Sequence, residues 1–306
     1  MHTDILLESG TNELEVMVFT IADVPFGINV AKITEIMQYK PKLIRPVPNS
    51  HPCMEGVFKP REIIMTVFNL PLYLGFEARE DNYRDMFMIT GFNNIHIAFH
   101  VHDVEGITRI KWSDIEKPDS IRQGGENSVS TGIAKVKGRL ITIIDFEKII
   151  SDICPETGIQ LSEIDELGPR ERSTKPVVTA DDSVLLRNMI YKALNTAGYV
   201  NIKSFSDGQE TWDYLQGLRD KSAMQNTPIE EDVAAIISDI EMPMMDGHHL
   251  LKRIKEDKIL KKVPVILFSS LIDEAMQVKG RQLGADGQLS KPEIGKLVST
   301  LDQLIL

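Results

Sequence analysis

Cysteine is scarce in this 306-residue chain: Cys53 and Cys154 stand far apart and form no CxxC pair. That excludes a disulfide framework and a thiolate zinc site, and it fits two reduced, packed thiols in a cytoplasmic protein. Basic charge is in deficit as well. Lys and Arg number 34 against 45 Asp and Glu, a formal charge of −11. A broad nucleic-acid surface needs a net basic face, so no nucleic-acid partner is expected, although a local basic patch stays open. No apolar run reaches the roughly 18 residues a membrane span requires, so no direct membrane insertion is expected. The start, Met1-His2-Thr3-Asp4, lacks the basic and then apolar pattern of a signal peptide. Residues 1–150 show no nucleophile-and-base pair, no Gly-rich phosphate loop and no zinc signature.

What is present is an ordinary globular composition, 42% hydrophobic and 26% charged, long enough for two cores. The two halves differ in rhythm. Leu14–Ile21, Met86–Thr90 and Arg139–Ile144 are β-favouring runs. From Ile95 to Val101 the chain alternates, with Ile95, Ile97, Phe99 and Val101 on one face and His96, Ala98, His100 and His102 on the other. Turn residues part these runs at Arg45–Ser50, Asn93-Asn94 and Gln123-Gly124-Gly125. Short strands of this kind predict a small barrel or a pair of them, closed by a short helix near Asp145–Ile153. The second half repeats strand and helix five times. The strands are Pro176–Ala180, Val200–Phe205, Val233–Ser238, Val263–Phe268 and Gly287–Ser290. The helices are Ser183–Ala197, Asp207–Leu218, Gly247–Lys255, Leu271–Leu283 and Glu293–Leu304. That order predicts a parallel five-stranded sheet covered on both faces. The polar stretch 155–175 between the halves, with Pro155, Gly158, Gly168 and Pro169, reads as a linker with at most a helical turn.

Function in an open α/β sheet gathers at the carboxyl ends of the strands. Those ends carry Asp181-Asp182-Ser183, Asp239-Ile240-Glu241-Met242-Pro243, Ser269-Ser270 and Ser290-Lys291-Pro292. Clustered carboxylates repel until a cation relieves them. Mg²⁺ suits one or two carboxylates plus a phosphate: Asp182, Asp239 and the Glu241 carbonyl would hold it, with Asp181 acting through water. Asp239 is then a carboxylate nucleophile toward a phosphoryl group, and Lys291 and Ser269 supply donors to the transferred oxygens. The alternative at any one position is a helix cap, Asp182 or Ser183 above all.

With these residues on the page, 176–306 resembles the response-regulator receiver family. The resemblance rests on Asp181-Asp182, on Ser238-Asp239 through Met245-Asp246-Gly247, on Ser269 and on Lys291-Pro292. It implies a flavodoxin-like strand order, phosphate accepted on Asp239 from a histidine kinase, and a cis peptide before Pro292. Gln288 departs from the family's aromatic switch residue, and Glu241 and Leu271 stand at positions that tune acyl-phosphate lifetime.

Residues 1–154 resemble the CheW family of coupling proteins. The motifs are Phe26-Gly27-Ile28, Ile33-Thr34-Glu35-Ile36, Gly56 to Arg61, Thr131-Gly132-Ile133 and the Ile141–Ile150 end. That resemblance implies two small five-stranded barrels, no catalysis, and binding to chemoreceptors and to the histidine kinase CheA, with Ile33, Glu35 and Arg61 on contact surfaces. Phe58-Lys59-Pro60 and Asn69 depart from the commoner residues there. Together the halves resemble CheV, a coupling domain fused to a receiver, which implies a chemotaxis scaffold at receptor arrays on the inner face of the membrane. Two readings compete with that one. An aspartyl-phosphate phosphatase of haloacid dehalogenase type would want its two acids two residues apart on the first strand. A transcription factor would want a basic recognition helix. His96, His100 and His102 could bind a metal, but a solvent-facing strand surface is the favoured reading, because no further ligand cluster accompanies them.

Overall fold

The computed structural model describes residues 13–77, 79, 83–92, 95–116, 129–155, 158–270 and 274–306. The turns expected at Asn93-Asn94 and Gln123–Gly125, and Leu271, lie outside the described residues. The chain divides into two units at Pro155 and Glu156.

Among the described residues the first unit is all-β apart from two α-helices and short 3-10 turns, in two sheets. Its strands are β1 Glu13–Ile21, β2 Val24–Asn29, β3 Ile33–Gln38, β4 Met54–Phe58, β5 Met65–Asn69, β6 Met86–Phe92, β7 Ile95–Val101, β8 Asp103–Lys111, β9 Ile115–Glu116, β10 Ser130–Val136 and β11 Arg139–Ile144. The helices are α1 Leu70–Tyr73 and α2 Phe146–Ile153. One sheet has the order β8-β1-β2-β11-β10-β9 and the other β3-β6-β7-β5-β4. Where two five-stranded barrels were expected, the first sheet has a sixth member, because the two-residue β9 pairs with β10.

Each sheet has a core of its own and shares another. On β1, Val16 and Val18 pack with Ile110, Ile141 and Ile143, while Phe19 and Ile21 face the other way and pack with Phe68, Phe99 and Phe146. The run Leu14–Ile21 is therefore apolar on both faces because both faces are dry. Gly27 sits where the two neighbours of β2 close in: a Cβ there would come within 2.5 Å of the Val16 side chain.

In the second unit all strand pairings are parallel, in the order β13-β12-β14-β15-β16. These strands are β12 Val177–Ala180, β13 Ile202–Phe205, β14 Ala235–Ser238, β15 Val265–Ser269 and β16 Gly287–Ser290. The helices are α3 Ser162–Asp165, α4 Val184–Thr196, α5 Gly208–Gln225, α6 Gly247–Glu256, α7 Glu274–Leu283 and α8 Ile294–Ile305. Val177, Ile237 and Ile266 pack with α4 and α8 on one face. Val178, Ile236 and Leu267, their neighbours in sequence, pack with α5 and α6 on the other. A sheet buried on both faces reads as continuous apolar runs, as these do. Helix α5 extends seven residues past the expected Leu218 and stops at Asn226, which takes the left-handed conformation.

The stretch expected as a linker is packed into this unit from Gly158 onward. Ile159 and Ile164 are buried in the core beside α8. Glu163 accepts from the Gly295 N–H (2.9 Å), and Arg170 reaches both Asp302 oxygens and the Ala197 carbonyl.

Candidate functional site

The parallel sheet brings the ends of β12, β14, β15 and β16 to one edge. Asp181 follows β12, Asp239 follows β14, Ser269 closes β15, and Lys291 follows β16; all four are buried, Asp239 at 3% and Lys291 at 2% exposure. Lys291 Nζ stands between two carboxylates, 2.7 Å from Asp239 Oδ2 and 3.0 Å from Asp181 Oδ2. The other Asp239 oxygen, Oδ1, accepts from the Ile240 N–H at 2.6 Å. Asp181 Oδ1 accepts from the Ser183 N–H at 2.9 Å. Half-buried Asp182 completes the group: oxygens of Asp181, Asp182 and Asp239 lie within 4.8 Å of one another.

Three carboxylates around one ammonium leave two negative charges in excess at this edge. An arrangement of hard oxygen donors with that excess fits a divalent cation of the Mg²⁺ or Ca²⁺ kind. The Glu241 carboxylate does not join the group; Glu241 was expected to contribute its carbonyl. Capping and pocket chemistry fall to different residues. Ser183 Oγ caps α4 by accepting from the Leu186 N–H at 3.4 Å, while its acidic neighbours face the pocket.

The loop after Asp239 is held by close packing. Asp246 caps α6, its Oδ1 accepting from the His249 N–H at 2.8 Å. A Cβ on Gly247 would overlap the Asp239 carbonyl oxygen. Gly247→Ala is expected to cost about 1–3 kcal/mol through overpacking against backbone that cannot yield. Urea unfolding of the second unit, followed by Trp212 fluorescence in a Trp112→Phe background, checks this.

One expectation is corrected here. The Lys291–Pro292 peptide is trans. Lys291 is aimed without a cis bond, because its own N–H donates to the Ser269 carbonyl at 3.2 Å and continues the sheet edge. Gln288 replaces an aromatic ring with an amide: its Nε2 donates to the Gln277 carbonyl of α7 at 2.9 Å and packs over Gly280.

In the first unit the histidine face of β7 is not solvent-facing. His100 and His102 are buried and His96 is half-buried. The face is dry because Ala98 lies in the second sheet's own core. His100 bridges two acids, with Nδ1 at 2.7 Å from Glu55 and Nε2 at 2.7 Å from Asp85. Its ring stacks on Tyr39, centroids 3.8 Å apart. Tyr39 Oη and Asn69 Nδ2 also donate to Glu55, and Arg79 pairs with Asp85. Burial alone would push His100 down, but the hydrogen bond and charge of Glu55, then those of Asp85, hold it above the ordinary imidazole value. Burial likewise raises Glu55, and the His100, Tyr39 and Asn69 hydrogen bonds bring it below the usual carboxylate range. Alternation in the sequence showed which face His100 occupies; nothing in it showed Glu55 and Asp85 waiting there.

Glu35 on β3 and Arg61 in the turn after β4 are joined, Arg61 Nη2 donating to Glu35 at 2.8 Å, with Arg61 largely exposed. Ile33 is half-buried against the shared core.

Residues 15–154 match the CheW-like domain family, and residues 177–302 match the response regulator receiver domain family. The chain is 28% identical to chemotaxis protein CheV3 of Helicobacter pylori, over 92% of this chain and 88% of that one. Chemotaxis protein CheV1 of the same organism is 24% identical over 92% and 89%. Chemotaxis protein CheW of Thermotoga maritima is 29% identical over 50% of this chain and 98% of its own length. The phosphatase reading finds no support. Its acid pair should end the first strand two residues apart, whereas β12 ends in adjacent acids within a segment that matches the receiver family.

Proposed function

We infer that this chain, in which a CheW-like domain precedes a response regulator receiver domain and which is similar along most of its length to CheV chemotaxis proteins, is a scaffold that couples chemoreceptors to the histidine kinase CheA under control of phosphorylation at Asp239. The observation that carries the phosphorylation is Lys291, buried between Asp239 and Asp181 with Asp182 beside them. A lysine in that position holds the nucleophile ready and becomes the partner of the group it receives.

In this reading Asp182, Asp239 and the Glu241 carbonyl would hold Mg²⁺, with Asp181 acting through water. When bound, the ion offsets the carboxylate charge that would otherwise repel a phosphoryl group. The Ile240 N–H holds Asp239 Oδ1 and Lys291 Nζ holds Oδ2, so the nucleophile is fixed at both oxygens. An Asp239 oxygen forms the new bond to phosphorus, and the P–N bond to the kinase histidine breaks with its electron pair returning to the ring. Lys291 and the Ser269 hydroxyl then donate to the transferred oxygens. The CheW-like domain supplies the docking surfaces, with Ile33, Glu35 and Arg61 among the contacts. No described helix is long and apolar enough to cross a membrane, so placement at receptor arrays on the inner membrane face rests on partners. Phosphate can shift coupling by no more than the difference in energy it gains in the two states of the scaffold.

The test is label transfer from phosphorylated CheA in the presence of Mg²⁺. Wild-type chain is expected to take up label, and Asp239→Asn to fall by about 10³-fold or more, as when a nucleophile is removed. Equal labelling of the folded Asn variant would remove Asp239 from the reading.

A further inference from the structure

Arg187 lies one turn into α4 and is half-buried. Its Nη1 reaches back to the loop before the helix, 2.6 Å from the Asp181 carbonyl and 3.2 Å from the Asp182 carbonyl. Its own N–H donates to the Ser183 carbonyl at 2.9 Å. One guanidinium therefore holds the backbone of both adjacent acids, at a residue that touches none of the reacting groups.

The need for such a hold follows from charge. Asp181 is already fixed through its carboxylate, by the Ser183 N–H and by Lys291. Asp182 is the half-buried member, bordering solvent, and lies within 4.8 Å of two like charges. Like charges at this spacing repel, and turning the Asp181-Asp182 backbone would carry the Asp182 carboxylate away from its neighbours into water. A guanidinium on both carbonyls opposes that turn, because rotating either peptide breaks a charge-assisted hydrogen bond.

We propose that Arg187 is a positioning residue that keeps the Asp181 and Asp182 carboxylates directed together at the divalent-cation position. This rests on the receiver reading above and adds to it a residue that holds the ligands rather than the ion. Partners of metal ligands, when removed, cost about 10–100-fold in affinity.

The sign of the effect separates positioning from plain charge. Deleting a cation near carboxylates should tighten binding of Mg²⁺ through space. Deleting a positioning residue should weaken it. The experiment is calorimetric titration of Mg²⁺ into the full chain, wild type against Arg187→Met and Arg187→Lys, with melting in EDTA to show each is folded. Arg187→Met, which keeps the packing of the stem, is expected to bind about 10–100-fold more weakly. Arg187→Lys, which keeps a donor and the charge, falls between Met and wild type. With acetyl phosphate as donor, the Met variant should need proportionately more Mg²⁺ for half-maximal phosphorylation of Asp239, and at saturating Mg²⁺ should regain a rate within about threefold of wild type, since uniform binding has been lost and not transition-state contact. Unchanged or tighter Mg²⁺ binding by the Met variant overturns the proposal. So does a lower maximal rate with the same half-saturation. Failure of the wild-type chain to bind Mg²⁺ and take up phosphate would instead bring down the receiver reading itself.

Discussion

Replacing His100 with alanine is expected to cost the first unit about 3–5 kcal/mol, the penalty for removing one partner of a buried ionic group. The side chain ties together elements from the whole second sheet. Glu55 lies on β4, Asn69 ends β5, His100 is on β7, Asp85 precedes β6, and Tyr39 follows β3. Without the imidazole, buried Asp85 and half-buried Glu55 are each left with one donor fewer. The loss should depend on pH, with opposite signs on the two sides. His100 titrates above the ordinary value when folded, so its contribution is complete below about 6.5 and is lost as pH rises through the folded value. Glu55 titrates below its ordinary value, so its contribution is present above about 4.3 and is lost as pH falls through the folded value. Wild type should therefore lose stability on the alkaline side relative to His100→Ala, which lacks that limb. Urea unfolding followed by Trp112 in a Trp212→Phe background isolates this unit, because the chain has two tryptophans and each lies in a different unit. A variant within about 1 kcal/mol of wild type at pH 6 would show the network to be a neutral packing arrangement.

Lys291→Met should make the second unit depend on a divalent cation. The ammonium lies within 3.0 Å of two carboxylates that have little water to screen them. Its removal in EDTA is expected to cost about 3–5 kcal/mol. Mg²⁺ should return part of that, about 2.7 kcal/mol when present at 100 times its dissociation constant. The gain on adding Mg²⁺ should be larger for the variant than for wild type, because in wild type the lysine competes for the same oxygens. Phosphorylation of Asp239 should meanwhile slow by about 10²–10³-fold, the usual consequence of losing one donor to a charge that develops during transfer. Unfolding with and without Mg²⁺, in the Trp112→Phe background, reads the first effect and label transfer reads the second. If the EDTA melts of variant and wild type coincide, Lys291 does not neutralise the pocket in the resting state.

Much of the site was legible in the sequence, because a parallel sheet leaves little freedom. Once strand and helix alternate five times, every strand end after β12, β14, β15 and β16 must reach one edge. Asp181, Asp239, Ser269 and Lys291 are then neighbours by topology, whatever their side-chain packing. Local chemistry alone also offered Ser183, beside Asp182, as a helix cap and showed the apolar runs of both units.

Tertiary structure decided what periodicity cannot carry, namely which distant group meets which. His100 and Glu55 are 45 residues apart, and an alternating strand reads the same whether its second face meets water or a second core. The stretch 158–175 is polar enough to read as a linker, yet Ile159 and Ile164 are buried and Glu163 bonds to an N–H 132 residues on, because the apolar residues of α8 share a core with it that composition does not reveal. Arg187 gave no signal either. A guanidinium bound to carbonyls leaves no partner side chain in the sequence, so its hold on Asp181 and Asp182 exists only where α4 turns back on the loop that starts it.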